Sequence, residues 1–369
     1  MTASTNIFTR TTIIQHSGRR RAYFLMNLNL KEYDDSNRDI ADWLPWFGII
    51  HPNVLQNKDE SLLAVLEYSP FPEQLSFNCK IPEIGNGWAI WTEKQHFPEF
   101  ERFFITILWY PQISSGIITN LPDEFEDFTD DTEENKINGF IEAVWRIMLP
   151  ITNFTKSRWL RNQEIINFLS DTLTNGLQQL PPELTKECQE PIDLDGLISQ
   201  DSGIFFSGNY INIGNKSFII ASFPSGASRE DMYVLYDRFW EMNYRHTQRL
   251  LLFSPDKAEK ELRRYTAKWC PGRASIKELI CKDILGEING YYSNIFVFAV
   301  DSDKISESKA YIDRVFRSLQ LNLIIESFNF KDVWWGSIAG IYSANIPNPP
   351  ITGFNSITEL LIQQKEKRD

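Results

Sequence analysis

Thr247-Gln248-Arg249-Leu250-Leu251-Leu252-Phe253-Ser254-Pro255-Asp256 is the stretch on which the fold class turns. Its apolar run is short and sharply bounded, which reads as a strand. Ser254 then offers a side-chain oxygen to cap a helix, Pro255 suits the first helical position because its missing N–H has no partner there anyway, and Asp256 faces the positive end of the helix dipole. The helix that follows puts Leu262, Tyr265 and Trp269 inward and Glu261, Arg263, Arg264 and Lys268 outward. Upstream, Ile204 to Phe206, Tyr210 to Ile213 and Phe218 to Phe223 read as short strands with turns at Gly208-Asn209 and Gly214-Asn215-Lys216, and a helix spans Ser228 to Trp240. Downstream come a strand at Ser293 to Val300, a helix at Asp303 to Leu319 and a strand at Leu321 to Phe328. This alternation predicts an α+β fold of mixed sheets packed with helices, the second half carrying a split ferredoxin-like pattern.

The first half reads the same way with weaker punctuation. Apolar runs between Trp46 and Tyr68 flank Asn57-Lys58-Asp59-Glu60 and predict a hairpin, while Trp88 to Trp91 and Phe103 to Tyr110 add strands, the latter closed by Pro111. Ile137 to Leu173 has helical spacing interrupted by Pro150, which predicts two helices. Asp123 to Glu134 holds eight acidic residues and reads as a surface loop. The resulting division is a polar tail at 1–40 with one edge strand, a subdomain at 41–180, a proline-marked linker at 181–200, a second subdomain at 201–345, and a tail at 346–369. A chain of 369 residues is long for one core, and 11 Trp, 13 Tyr and 26 Phe supply ample apolar area to bury.

Charge and motif content exclude several function classes. A net charge of −12 repels a phosphate backbone, and no basic stripe offsets it. Around Arg263-Arg264 the acids Asp256, Glu259 and Glu261 interleave with the cations, as in an exposed helix stabilised by neighbouring ion pairs. Arg19-Arg20-Arg21 reads as part of the solvated tail. Cys79, Cys188, Cys270 and Cys281 form no CxxC pair, and His16, His51, His96 and His246 are far apart, which argues against a local zinc site and for a reduced setting. No apolar run is long enough to cross a bilayer as a helix. The nearest approach to the phosphate loop GxxxxGK[ST] is Gly208 to Ser217, where five residues rather than four separate the glycines and Asn215 intrudes before Lys216. Catalytic, cofactor-binding and metal-ligating residues are therefore none, since hydrolase elbows and zinc-protease helices are also missing from the sequence.

Three separated blocks carry a resemblance to a known family. The first is Leu44-Pro45-Trp46-Phe47-Gly48-Ile49-Ile50, Val54 and Asn57 to Tyr68; the second runs from Tyr236-Asp237-Arg238 through Asn243-Tyr244-Arg245 and Arg249 to Phe253 into Ala258 to Tyr265 and Lys268-Trp269. The third is Val333-Trp334-Trp335-Gly336-Ser337-Ile338-Ala339-Gly340 with Asn345, Pro349, Ile351-Thr352 and Asn355. Together with Arg102 to Pro111 they resemble, in order and spacing, the N-terminal part of the TrbE-type conjugal-transfer ATPases, motors of type IV secretion machines. The chain departs from the family at Ala339-Gly340, where Pro-Gly is usual, and at Pro347-Asn348, near which arginines are usual.

The resemblance implies a non-catalytic scaffold that couples a hexameric motor to the inner-membrane secretion complex, cytoplasmic and peripheral to that membrane. ATP and magnesium would belong to an ATPase domain absent from this chain and supplied in cis or in trans. Implied partners are inner-membrane components of the secretion system, that ATPase domain, and further copies through the full-length motor, with no direct contact to nucleic acid. Trp334-Trp335 is then expected to present a docking face for the motor, and Asn345 to Pro350 to leave the globule. The alternatives are an independent cytosolic α+β enzyme and a free-standing adaptor.

Overall fold

A computed structural model describes residues 11–16, 19–24, 47–51, 54–57, 61–69, 87–110, 112–114, 117–119, 133–177, 204–207, 210–222, 229–269, 286, 288–342 and 351–354. Its strands are β1 (Thr11–His16), β2 (Arg19–Phe24), β3 (Phe47–His51), β4 (Val54–Asn57), β5 (Leu62–Tyr68), β6 (Trp88–Phe97), β7 (Phe100–Trp109), β8 (Gln112–Ser114), β9 (Ile117–Thr119) and β10 (Ser157–Trp159) in the first half. The second half adds β11 (Ile204–Ser207), β12 (Tyr210–Ile213), β13 (Lys216–Ser222), β14 (Asn243–Phe253), β15 (Ile288–Asp301), β16 (Ile324–Ile325) and β17 (Ile351–Phe354). The helices are α1 (Glu133–Phe154), α2 (Asn162–Thr174), α3 (Arg229–Arg238), α4 (Pro255–Trp269), α5 (Ile305–Ser318) and α6 (Phe330–Ser337).

The fold is α+β, built on a 13-stranded sheet whose central path is β11-β12-β13-β15-β14-β6-β7-β5-β4-β3. Every ladder among the described residues is antiparallel. Within it β16 lies beside β13, β13 beside β15, and β15 beside β14, with α3 and α5 as the crossovers. That is the split ferredoxin-like order, with α4 inserted in the connection from β14 to β15. The β14–β6 ladder, from Tyr244↔His96 to Leu251↔Ala89, continues this sheet into the strands of the first half.

Alternation of side chains along the strands gives the sheet two apolar faces. On one, α1, α3 and α5 cover a core that runs from Leu66, Trp88 and Phe140 to Phe239, Phe298 and Phe316. The opposite face is covered by α2 over Val65, Trp91 and Phe104, and by α6 over Phe218, Ile220 and Val297. A single layer of sheet thus lies between two layers of helix, and the first core draws on both halves of the chain.

Several sequence expectations differ from what is observed. The N-terminal segment expected as a tail with one edge strand holds two strands, β1 and β2, paired with each other. Pro150 does not split the helix: α1 runs through it to Phe154, and the break comes at Ser157–Trp159, which pairs with β5. Burial of Ile147, Met148 and Ile151 on one stripe holds the helix together across a proline that costs it a hydrogen bond. The hairpin expected around Asn57 gains a second one, β3 with β4. The strand expected over Leu321 to Phe328 shortens to Ile324–Ile325. The expected C-terminal tail returns to the sheet, since Ile351–Phe354 pairs with the start of β15. The linker at 181–200, most of the acidic run and all four cysteines lie outside the described residues.

Candidate functional site

Where the two halves of the sheet meet, the strands stop being apolar. Along β6 the run Thr92-Glu93-Lys94-Gln95-His96 is buried, and it faces Arg245, His246 and Thr247 of β14 across the ladder. Alternation sends these side chains to both faces and builds two polar layers back to back.

On the face beneath α2 and α6, Glu93 and Arg245 form an ion pair of 3.4 Å with both side chains about 1% exposed. Gln95 Nε2 and Thr172 Oγ1 donate to Glu93 Oε1 at 2.7 and 2.9 Å. The Arg245 guanidinium donates to Thr247 Oγ1 at 2.7 Å, to the Ser337 carbonyl at 2.7 Å and to Ser337 Oγ at 2.8 Å. Trp91 Nε1 donates to the Gly336 carbonyl at 3.2 Å, and Arg249 donates to the Tyr342 carbonyl. Burial raises the Glu93 carboxyl above its ordinary range, against the pull of Arg245 and its hydrogen-bond donors. At the edge of this layer, Asp171 lies 3.3 Å from Arg102. Burial, opposed by Arg102 and reinforced by Glu93, pushes its carboxyl up to about 6.

The opposite layer lies beneath α3. Lys94 Nζ sits 4.0 Å from the Tyr236 ring centre and 2.8 Å from Glu101 Oε1, and burial lowers its pKa. His96 bonds Glu101 Oε1 through Nδ1 and the Trp240 carbonyl through Nε2, each at 2.7 Å, and stacks on Tyr244. Burial works to raise Glu101, but the His96 hydrogen bond and the Lys94 charge outweigh it and hold the carboxyl at about 2. His246 lies between Tyr236 Oη at 2.7 Å and Asn294 Oδ1 at 2.5 Å, and burial drives its pKa down to about 3.

The cations and carboxylates of the seam are bonded to groups of the same chain, and the seam ties β6, β14, α2, α3 and α6 together. The described His, Cys, Asp and Glu residues form no group able to hold a metal ion. A surface groove lined by Asp256, Glu259, Lys260, Arg263 and Arg264 shares no residue with either layer.

The residues singled out from sequence fall into place as follows. Gly214-Asn215 is the turn of the β12–β13 hairpin, with Gly214 at φ 58°, Lys216 paired to Asp301 at 2.7 Å and Ser217 Oγ bonded to Asn212. Strands flank that turn, whereas a phosphate loop needs a helix after it. Arg263 pairs with Glu259 and Arg264 with Glu261, as the interleaved charges predict. His96 and His246, distant in sequence, both pack around Tyr244 and Tyr236. Trp334 and Trp335 overturn the docking-face expectation: they are 0% and 2% exposed and pack in the core beneath α6. The short helix lays both indoles against the sheet because Phe330, Val333 and Ile338 anchor it there too. Gly340, at φ 90°, makes the turn after it, and Ala339 is buried against the first-half core. Glu93, Lys94, Gln95, His96 and Arg245 were missed as site residues, since a polar run reads as the end of a strand. Its signal was complementarity: acid and cation on β6 opposite cation and histidine on β14.

No family model matches the chain, and no curated protein does. Among solved structures it is similar to BBE-like #28 from Arabidopsis thaliana at 10% identity and a TM-score of 0.29, over 72% of this chain and 44% of that one. A variant of berberine bridge enzyme is similar at 8% identity and a TM-score of 0.28, over 72% of this chain and 42% of that one. This chain thus spans less than half the length of either structure, and a likeness at these scores carries no argument. No helix among the described residues is long and apolar enough to cross a membrane.

Proposed function

We propose that this chain is a non-catalytic scaffold, the N-terminal region of a TrbE-like type IV secretion ATPase, coupling the motor to the inner-membrane complex from the cytoplasmic side. The observation that carries the reading is the convergence of the three resembling blocks. Arg245 of the second block is bonded to Ser337 of the third, and Leu63 and Val65 of the first pack with Ala339 of the third. Residues that are far apart in sequence but resemble one family thus form one mechanical unit around the seam. ATP and magnesium belong, in this reading, to a motor domain supplied in cis or in trans, and the buried tryptophans stiffen the scaffold instead of docking that domain.

The test is a binding assay with two arms. In the first, the purified chain is incubated with inner membranes carrying a type IV secretion complex and with membranes lacking it; retention on the former alone is expected. In the second, a labelled ATP analogue is titrated with magnesium, and DNA is run in a gel shift at about 150 mM salt. Equal retention on both membranes, or saturable magnesium-dependent nucleotide binding at micromolar concentration, would overturn the scaffold reading.

A further inference from the structure

His96 sits between two hydrogen-bond acceptors. In the sheet it is flanked by Glu101 of β7 on one side and Tyr244 of β14 on the other, and it is buried. Its Nδ1 lies 2.7 Å from Glu101 Oε1, and its Nε2 lies 2.7 Å from the Trp240 carbonyl oxygen. A backbone carbonyl only accepts, and so does an ionised carboxylate. Glu101 is ionised across the neutral range: burial works to raise it, but the His96 hydrogen bond and the Lys94 charge hold it at about 2. Both ring nitrogens of His96 must then carry a proton at once, whichever way round the ring is set, and a neutral imidazole has only one. His246 passes the same test as a neutral ring. It accepts from the Tyr236 hydroxyl while donating to Asn294 Oδ1, and burial drives its pKa down to about 3.

The bond to Trp240 matters for what it pins. Trp240 lies in the turn between α3 and β14, where Met242 N–H donates to the Phe239 carbonyl at 2.9 Å and Tyr311 Oη of α5 donates to the Arg238 carbonyl at 2.6 Å. Its indole is 60% exposed, so this residue is held mainly by its backbone. Charged and titratable groups face His96 from each element around it. Lys94, on its own strand, shares Glu101 Oε1 at 2.8 Å and opposes a second positive charge, whereas Asp237 of α3 acts back on Lys94. Tyr236 and Tyr244, driven upward by burial, stay neutral. Glu99 in the β6–β7 turn and Arg238 and Glu241 on either side of Trp240 in the chain are exposed. With His96 charged, two cations therefore face two carboxylates. If the second proton leaves, one nitrogen turns a lone pair toward an oxygen. The carboxylate keeps the remaining N–H, because a charge-assisted hydrogen bond is roughly twice as strong as one between neutral groups. The contact to Trp240 is the one that breaks. We propose that His96 is a pH-operated latch: as an imidazolium it ties the turn between α3 and β14 to the β6–β7 hairpin, and on losing one proton it releases Trp240. The latch stands on these contacts and does not depend on the secretion reading.

The experiment uses the full chain with 15N-labelled histidine and with fluorotryptophan in place of its 11 tryptophans, followed by NMR from about pH 5 to about pH 9. At the acid end both ring nitrogens of His96, assigned by their loss in His96→Gln, should carry protons, while His246 carries one. The 19F resonance of Trp240, assigned through Trp240→Phe, should move with the same midpoint as His96 and stay fixed in His96→Gln. Glu101→Gln separates the latch from general destabilisation. A glutamine amide can donate to Nδ1, so a neutral imidazole satisfies both partners and the Trp240 resonance should keep its acid-end position at every pH. Lys94→Met removes the neighbouring cation and should move the midpoint upward without abolishing the response. A single N–H on His96 at the acid end, a His96 that keeps both protons to the top of the range, or a Trp240 resonance that ignores the His96 midpoint would each overturn the proposal. So would a response that survives in His96→Gln or Glu101→Gln, or one that vanishes in Lys94→Met.

Discussion

Replacing Arg245 by methionine tests the seam most directly. The substitution keeps an unbranched apolar stem but removes a guanidinium that is 1% exposed, leaving Glu93 buried without its cation and the Ser337 carbonyl without its donor. Removing one member of a buried pair costs about 3 to 5 kcal/mol, because the remaining charge keeps its desolvation penalty and loses its compensation. On a chain of 369 residues that corresponds to a fall in apparent melting temperature of about 4 to 6 °C. The double variant Glu93→Gln with Arg245→Met should recover about 2 kcal/mol or more, since no buried charge is left. The deficit of the single variant should also shrink with acid. Burial already raises Glu93 in the parent, and losing Arg245 raises it further. A folded-state pKa above the unfolded one makes the cost largest at high pH, and it is relieved as pH falls toward the unfolded value. Urea melts followed by circular dichroism at pH 8 and pH 5 give all of these quantities. A single variant within 1 kcal/mol of the parent, or a double variant no better than the single, would refute the view that the pair holds the halves together.

Trp335→Ala should cost about 3 to 5 kcal/mol, as truncation of a buried aromatic does, whereas Trp145→Ala, at a residue 52% exposed, should stay within about 0.5 kcal/mol; parallel denaturant melts compare them. Asp171, pushed up to about 6 from an ordinary value of 3.8, opposes folding when ionised, so it should add stability to the parent as pH falls from above 6 toward 4, and Asp171→Asn should reduce that gain in the same melts, leaving the share that the raised Glu93, Glu326 and Asp332 carboxyls supply. Gly290→Ala should destabilise strongly, because a Cβ there would lie 2.1 Å from the Leu251 carbonyl oxygen on the paired strand; a variant that melts with the parent would show that the β14–β15 ladder yields easily.

Local sequence determined the elements wherever one physical preference dominated. The strand expected over Thr247 to Phe253 is the second part of Asn243–Phe253, and the helix starts at Pro255 as expected, Ala258 N–H bonding the Ser254 backbone carbonyl at 2.9 Å. The strand and helix order of the second half made the split ferredoxin-like path legible, because short right-handed crossovers leave few alternatives. The strand through Thr92-Glu93-Lys94-Gln95-His96 was not legible. Polar residues enter a buried strand only when partners elsewhere neutralise them, and those partners are supplied by β7, β14, α2, α3 and α6. The same holds for Trp334-Trp335, whose apolarity is plain in the sequence but whose side of the fold is not: an exposed pair and a buried pair are spelled alike. Pairing across the β6–β14 ladder decides where the charges can be buried, and only the folded chain brings that ladder into being.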